Sequence, residues 1–108
     1  MTRVILESPY RGGDSEKITE NKVYACLCLS DSLDRGESPM SSHLLYTQVL
    51  DDTDPEQRAI GIEAGQAWYE VAEYCVVYTD LEISDGMKEG IKFAESKGLT
   101  IRYRKLYG

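Results

Sequence analysis

The groups able to do chemistry in this 108-residue chain stand mostly at the ends of short apolar runs. Ser8-Pro9-Tyr10-Arg11 follows Val4-Ile5-Leu6, His43 follows Pro39-Met40-Ser41-Ser42, Asp80 follows Cys75-Val76-Val77-Tyr78, and Ser84-Asp85-Gly86-Met87 opens a helical pattern. A tyrosine ring beside a guanidinium, as in Tyr10-Arg11, suits stacking on a base and pairing with a phosphate. A strand-end carboxylate such as Asp80 suits a two-point grip on ribose hydroxyls. Ser84 is by type a helix N-cap, and the free amides behind it, with Gly86, let an anion approach the backbone. A lone histidine is more often a hydrogen-bonded structural group than a catalyst, and no Ser or Cys spacing around His43 makes a triad. Glu63 shares a charged helix flank with Glu56 and Glu70 at seven-residue spacing.

Other chemistries lack their residues. Cys26 and Cys28 on a helix point about 200° apart, so with one histidine they make a poor metal site. With Cys75 they read as three reduced thiols. Gly12-Gly13 has neither a Walker nor a dinucleotide fingerprint around it. No metal or cofactor is expected. Twelve basic residues against nineteen acidic ones give a net charge of −7, the wrong balance for a nucleic-acid surface, although a small phosphate-bearing ligand needs only a few amides and one arginine. The apolar runs fall far short of the ~20 residues that span a bilayer. Met1-Thr2-Arg3 leads straight into an apolar strand pattern, not into a secretory leader, so a cytoplasmic location is expected.

The elements that must position these groups follow from periodicity. At 42% apolar and 29% charged residues the composition is globular, and the length suits one domain over 1–108. Arg3–Glu7 reads as a first, central strand. A helix is expected from about Asn21 to Asp34, with Val23, Cys26, Leu27, Ser30 and Leu33 on its apolar stripe and Gly36 as its stop. A weak second strand falls at Pro39–Ser42. Asp54 and Pro55 open another helix, running to about Ala72, with Ile60, Ala64, Ala67, Trp68 and Val71 as its buried stripe. Cys75–Thr79 is apolar on both faces, as parallel strands are. Met87, Ile91 and Ala94 face inward from a last helix stopped by Gly98, and Thr100–Arg104 alternates like an edge strand. Right-handed crossovers make this an α/β fold, a four-stranded parallel sheet of order 2-1-3-4 with helices on both faces. Ligands in such sheets bind outside the carboxyl ends of the strands, here between the first and third.

Ser8-Pro9-Tyr10, Pro39 to His43, Asp80, Ser84-Asp85-Gly86-Met87, Ala94 and Gly98, in that order and spacing, resemble the nucleoside 2-deoxyribosyltransferase-like superfamily. Small relatives, many phage-encoded, are also similar in Leu44-Leu45-Tyr46-Thr47-Gln48, Glu56 through Gly65, and Ser84-x-Gly86-Met87. The resemblance covers nearly the whole chain. It implies a flavodoxin-like, Rossmann-like three-layer sandwich, a homo-oligomer, and a pocket for a nucleotide-derived small molecule. Ser8, Pro9, Tyr10, Arg11, His43, Asp80, Ser84, Gly86 and Met87 are the expected ligand contacts. The enzymes of the superfamily carry a nucleophilic glutamate four residues after the helix-start glycine, and here that position is Gly90. Glu89 is one residue, about 100°, away and is expected to face solvent. The leading expectation is therefore a non-catalytic binder that sequesters an ADP-ribose-type or cyclic nucleotide signal on behalf of a phage. The alternative is an N-glycosidase or deoxyribosyltransferase using Glu63 or Asp80. Trp68 reads as core; Tyr69, Tyr103 and Tyr107 are candidates for subunit contacts.

Overall fold

A computed structural model describes residues 1–10 and 14–107. Strands β1 (Thr2–Glu7), β2 (Glu37–Met40), β3 (Tyr74–Tyr78) and β4 (Thr100–Arg104) form one parallel sheet in the order β2-β1-β3-β4. Helix α1 (Ser15–Asp34) lies on one face. Helices α2 (Ser42–Leu45), α3 (Pro55–Gln66) and α4 (Asp85–Ser96) build the other side and the rim. The α/β class and strand order are those read from the sequence. Pro39, which cannot donate a ladder hydrogen bond, sits in the edge strand β2. Gly36 and Gly98 take φ of 82° and 77°, the left-handed conformation that ends α1 and α4.

Strand alternation sorts the core. Val4 and Leu6 of β1, with Val76 and Tyr78 of β3, pack on Tyr24 and Cys28 of α1. Ile5, Cys75 and Val77 point the other way, onto Tyr69, Met87, Ile91 and Ala94. Period two then puts Glu7 on the same side as Ile5, facing α4.

The two apolar helix stripes expected to be buried face outward. In α1, Val23, Leu27 and Leu33 are exposed, while Asn21, Tyr24, Ala25, Cys28 and Ser32 are buried. Hydrogen bonds decide this. Asn21 donates to the Tyr10 carbonyl at 3.0 Å, Tyr24 to Asp80, and Ser32 to Glu37 at 2.8 Å. Glu37 is nearly buried and also takes the Arg104 guanidinium at 2.8 and 3.0 Å and the Tyr74 hydroxyl. Burial opposes its charge, but these donors prevail and hold its carboxyl down at about 2. In α3 and the 3-10 turn after it (Ala67–Glu70), Ile60, Trp68 and Val71 are exposed, so Trp68 is not core; Tyr69 is buried instead.

Asp80 stands with this polar layer. Its carboxylate accepts from the Tyr24 hydroxyl at 2.6 Å and from the Leu106 and Tyr107 amides at 2.8 to 3.0 Å, tying the C-terminal segment to the end of β3. Although burial opposes its ionisation, these donors keep its pKa below the usual carboxylate range. We expect Asp80→Ala to lower unfolding free energy by about 2 kcal/mol in urea titration and to speed amide exchange at Leu106 and Tyr107.

Candidate functional site

Between the carboxyl ends of β1 and β3 on one side and α2, α3 and the start of α4 on the other lies a cavity of about 720 Å³. It exists because α3 stands off the sheet. The contact that holds α3 there is with α2: a side-chain carbon at Gly65 would stand 2.7 Å from Ser42, so glycine is what lets the two helices meet. The inward face of α3 and its 3-10 extension is thereby spent on the cavity wall, with Gly61, Gly65, Gln66 and Tyr69 lining it. This is the physical reason its apolar stripe turns outward.

Six of the residues nominated from sequence line the cavity: Ser8, Tyr10, His43, Ser84, Gly86 and Met87. Pro9 is buried but is not part of the lining, and Arg11 lies outside the described residues. The structure places the other two nominations outside the lining. Asp80 is not in the lining, because its oxygens are committed to Tyr24 and the C-terminal backbone. Glu63 is exposed on α3 and does not reach the cavity, because the turns of α3 that face it present Gly61, Gly65 and Gln66.

His43, in α2, is held from both sides. Its Nε2 lies 3.1 Å from Ser8 Oγ and its Nδ1 3.2 Å from Ser41 Oγ, and the Tyr10 ring centroid is 5.7 Å from its own. Burial pushes its pKa down to about 4, so the imidazole is neutral near pH 7. A neutral ring has one donor and one acceptor, so one serine donates to it and the other accepts. Ser84 caps α4, accepting from the Met87 amide at 3.2 Å, while its own amide reaches the Met87 sulfur at 3.4 Å.

The residue the sequence reading passed over is Glu7. Its carboxyl lines the cavity, and its Oε2 is fully buried with no hydrogen-bond partner. Burial at the end of the Ile5, Cys75, Val77 and Met87 cluster raises its pKa from 4.5 to about 8. Opposite it is Gly90 of α4. A Cβ at position 90 would stand 2.6 Å from Glu7 Oε1 and 2.7 Å from its carboxyl carbon, so the carboxyl fills the space a side chain there would need. Glu89, next in the helix, is exposed as its phase requires, yet lies on the cavity rim. One signal was available: Glu7 is the charge that follows the apolar run Val4-Ile5-Leu6 at the carboxyl end of the central strand, and alternation aims it at α4.

Comparison with known proteins adds three findings. A family model described as a domain of unknown function, DUF7768, matches residues 2–104. No curated protein matches the sequence. Among solved structures, a 2-deoxyribosyltransferase from the psychrotolerant bacterium Bacillus psychrosaccharolyticus superposes with a TM-score of 0.68 at 15% identity, over 99% of this chain and 74% of that one. The likeness is one of fold. Among the described residues no helix is long and apolar enough to cross a membrane, and no cluster of three or more His, Cys, Asp or Glu side chains is placed to hold a metal ion.

The buried carboxyl sets a pH signature. The folded protein keeps the Glu7 proton up to about pH 8, whereas the unfolded chain releases it near 4.5, so stability falls as pH rises through that interval. His43 acts in the opposite sense, but only between about pH 4 and 6.5. From pH 6.5 to 8 Glu7 dominates. Wild-type unfolding free energy should therefore drop by roughly 2 kcal/mol across that window, and Glu7→Gln should flatten the slope in urea titrations at each pH.

Proposed function

The chain belongs to the DUF7768 domain family, and we propose that it acts on the N-glycosidic bond of a nucleoside or nucleotide, as an N-glycosidase or deoxyribosyltransferase with Glu7 as its nucleophile. The observation that carries this reading is the Glu7 carboxyl lodged, unpartnered, against Gly90 at the end of a cavity that the fold places where such sheets bind ligands. The fold likeness to a 2-deoxyribosyltransferase supports the substrate class. A glutamate at position 90 would bring its carboxyl to this cavity from the helix; here the strand supplies one, and the absence of a glutamate at 90 no longer argues for sequestration alone.

In this mechanism Glu7 first loses its proton to water through the open side of the cavity. One carboxylate oxygen then bonds to the anomeric carbon as the bond from that carbon to the base nitrogen breaks, its electron pair leaving with the base, which takes up a proton from solvent. Positive charge developing on the sugar offsets the desolvation that keeps Glu7 neutral in the empty cavity. Water or a second base then attacks the same carbon, loses a proton, and releases the Glu7 carboxylate. Neutral His43, fixed by Ser8 and Ser41, keeps the rim uncharged on that side, and Tyr10 presents an aromatic surface to the base.

Two outcomes follow, read by chromatographic release of base from 2′-deoxynucleosides. Glu7→Gln should cut kcat by roughly 10³-fold or more while preserving nucleoside-induced thermal stabilisation. Glu7→Ala/Gly90→Glu, which returns a carboxylate to the vacated space from the helix, should recover at least tenfold over Glu7→Ala alone. Ligand recovered intact from wild type, with no base released from any 2′-deoxynucleoside or its 5′-phosphate, would instead establish sequestration. Because the nucleophile must be ionised, kcat/KM should rise with pH to a plateau above about 8.

We also propose that the exposed stripe Ile60, Trp68 and Val71 is covered by a second copy of the chain. It backs the cavity wall, where the Trp68 indole donates to the Tyr46 hydroxyl at 3.0 Å. Light scattering should give a multiple of 12.2 kDa for wild type, and Trp68→Glu should lower it.

A further inference from the structure

A carboxyl that ionises inside a cavity needs a donor to receive its charge, and Glu7 Oε2 has none where it lies against Gly90. The lining narrows the choice. Its buried residues are Ser8, Gly65, Tyr69 and Met87, and of these only Ser8 and Tyr69 carry hydroxyls. Ser8 Oγ is already engaged with His43 at 3.1 Å. The Tyr69 hydroxyl, on a residue only 7% exposed, makes no hydrogen bond with a described residue. Tyr69 is also held close by. Its ring stands edge-on to Phe93, with centroids 5.0 Å apart, and Phe93 follows Gly90 by three residues on α4, the spacing that puts two positions on one helix face. Tyr69 and Glu7 thus meet the same side of α4, one turn apart.

Resting on the reading of Glu7 as the reacting group, we infer that Tyr69 is its positioning residue. When Glu7 gives its proton to water, the Tyr69 hydroxyl donates to the carboxylate, lowers the cost of its charge and leaves its other oxygen to meet the anomeric carbon. Tyr69 keeps its own proton throughout, because burial first and the Glu7 charge second push its pKa up. The other ionisable groups around Glu7 do not offer the same service. Cys75 of β3 stays a thiol, a weak donor, pushed up to about 12 by burial and by Glu7. His43 of α2 is neutral and engaged with Ser8 and Ser41. The charged residues of α4, Asp85, Lys88, Glu89 and Lys92, are exposed, as is Arg58 of α3.

The test follows the Glu7 carboxyl itself, by carbon-13 NMR of protein labelled at the glutamate carboxyl carbons, with the signal assigned by its loss in Glu7→Gln. Tyr69→Phe keeps the ring against Phe93 and removes the donor, so Glu7 should titrate higher than in wild type by about one pH unit or more. A monofluorinated tyrosine at position 69 keeps the shape and donates more strongly, so Glu7 should titrate lower. The pH of half-maximal kcat/KM for base release should move in the same direction in each protein. Should Tyr69→Phe fail to fold, the fluorinated protein decides alone. Titration of Glu7 unmoved by these changes, or moved the same way by both, would overturn the inference. The two opposite shifts without base release by wild type would leave Tyr69 as the donor to Glu7 and overturn the nucleophile. Base release that Glu7→Gln abolishes, with the titration unmoved, would keep the nucleophile and overturn the role of Tyr69.

Discussion

Everything at the functional end of this protein depends on one contact, the Glu7 carboxyl pressed against the bare backbone of Gly90. A carboxyl without a hydrogen-bond partner is expensive to bury and does nothing for the core. Such costs gather at sites where a shifted proton affinity is of use. Two structural facts maintain the contact. Period-two alternation in a strand buried on both faces sends Glu7 toward α4, and glycine at position 90 leaves room for it to arrive. Any side chain at 90 would drive the carboxyl away, so the pair must change together.

The rest of the molecule keeps that contact open to a ligand. Gly65 against Ser42 sets α3 away from the sheet, and the 3-10 turn brings Tyr69, rather than its exposed neighbour Trp68, to the cavity and core. On the opposite face a polar layer fixes the sheet edges. Arg104 from β4 spans to Glu37 of β2 with a two-point ion pair, Tyr74 and Ser32 complete the glutamate, and Asp80 clasps the C-terminal backbone. Removing one partner of the Glu37–Arg104 pair would leave the other's charge uncompensated, which costs far more than the pair gains over an apolar core. The sheet is therefore pinned by polar chemistry on one side and carries the unpartnered Glu7 carboxyl on the other.

Much of the architecture was legible in the residues. The strand order came from alternating short apolar runs and longer helical segments; the stops at Gly36 and Gly98 and the cap at Ser84 were visible as residue types. The helix orientations were not. A stripe such as Val23, Leu27 and Leu33 reads as buried by any hydrophobicity argument, yet the side that packs is chosen by Tyr24, Asn21 and Ser32, whose partners Asp80, Tyr10 and Glu37 are distant in sequence. The same blindness affected the site. Asp80 has the residue type and position of a ligand contact, and only its bonds to Leu106 and Tyr107 reveal another employment. Glu7 and Gly90 stand on different elements more than eighty residues apart, and two residues that meet only across space leave no mark in local spacing.

The most direct test is to find the covalent bond itself. Protein mixed with a 2′-deoxynucleoside, or with a slowly turned-over 2′-fluoro analogue, is quenched in acid within seconds, digested and examined by mass spectrometry. Our account requires one sugar unit added to the peptide containing Glu7, localised to its carboxyl by fragmentation and absent from the Glu7→Gln protein. A sugar attached at Glu89, Asp85 or any other carboxylate, or turnover with the Glu7 peptide never modified, would contradict it.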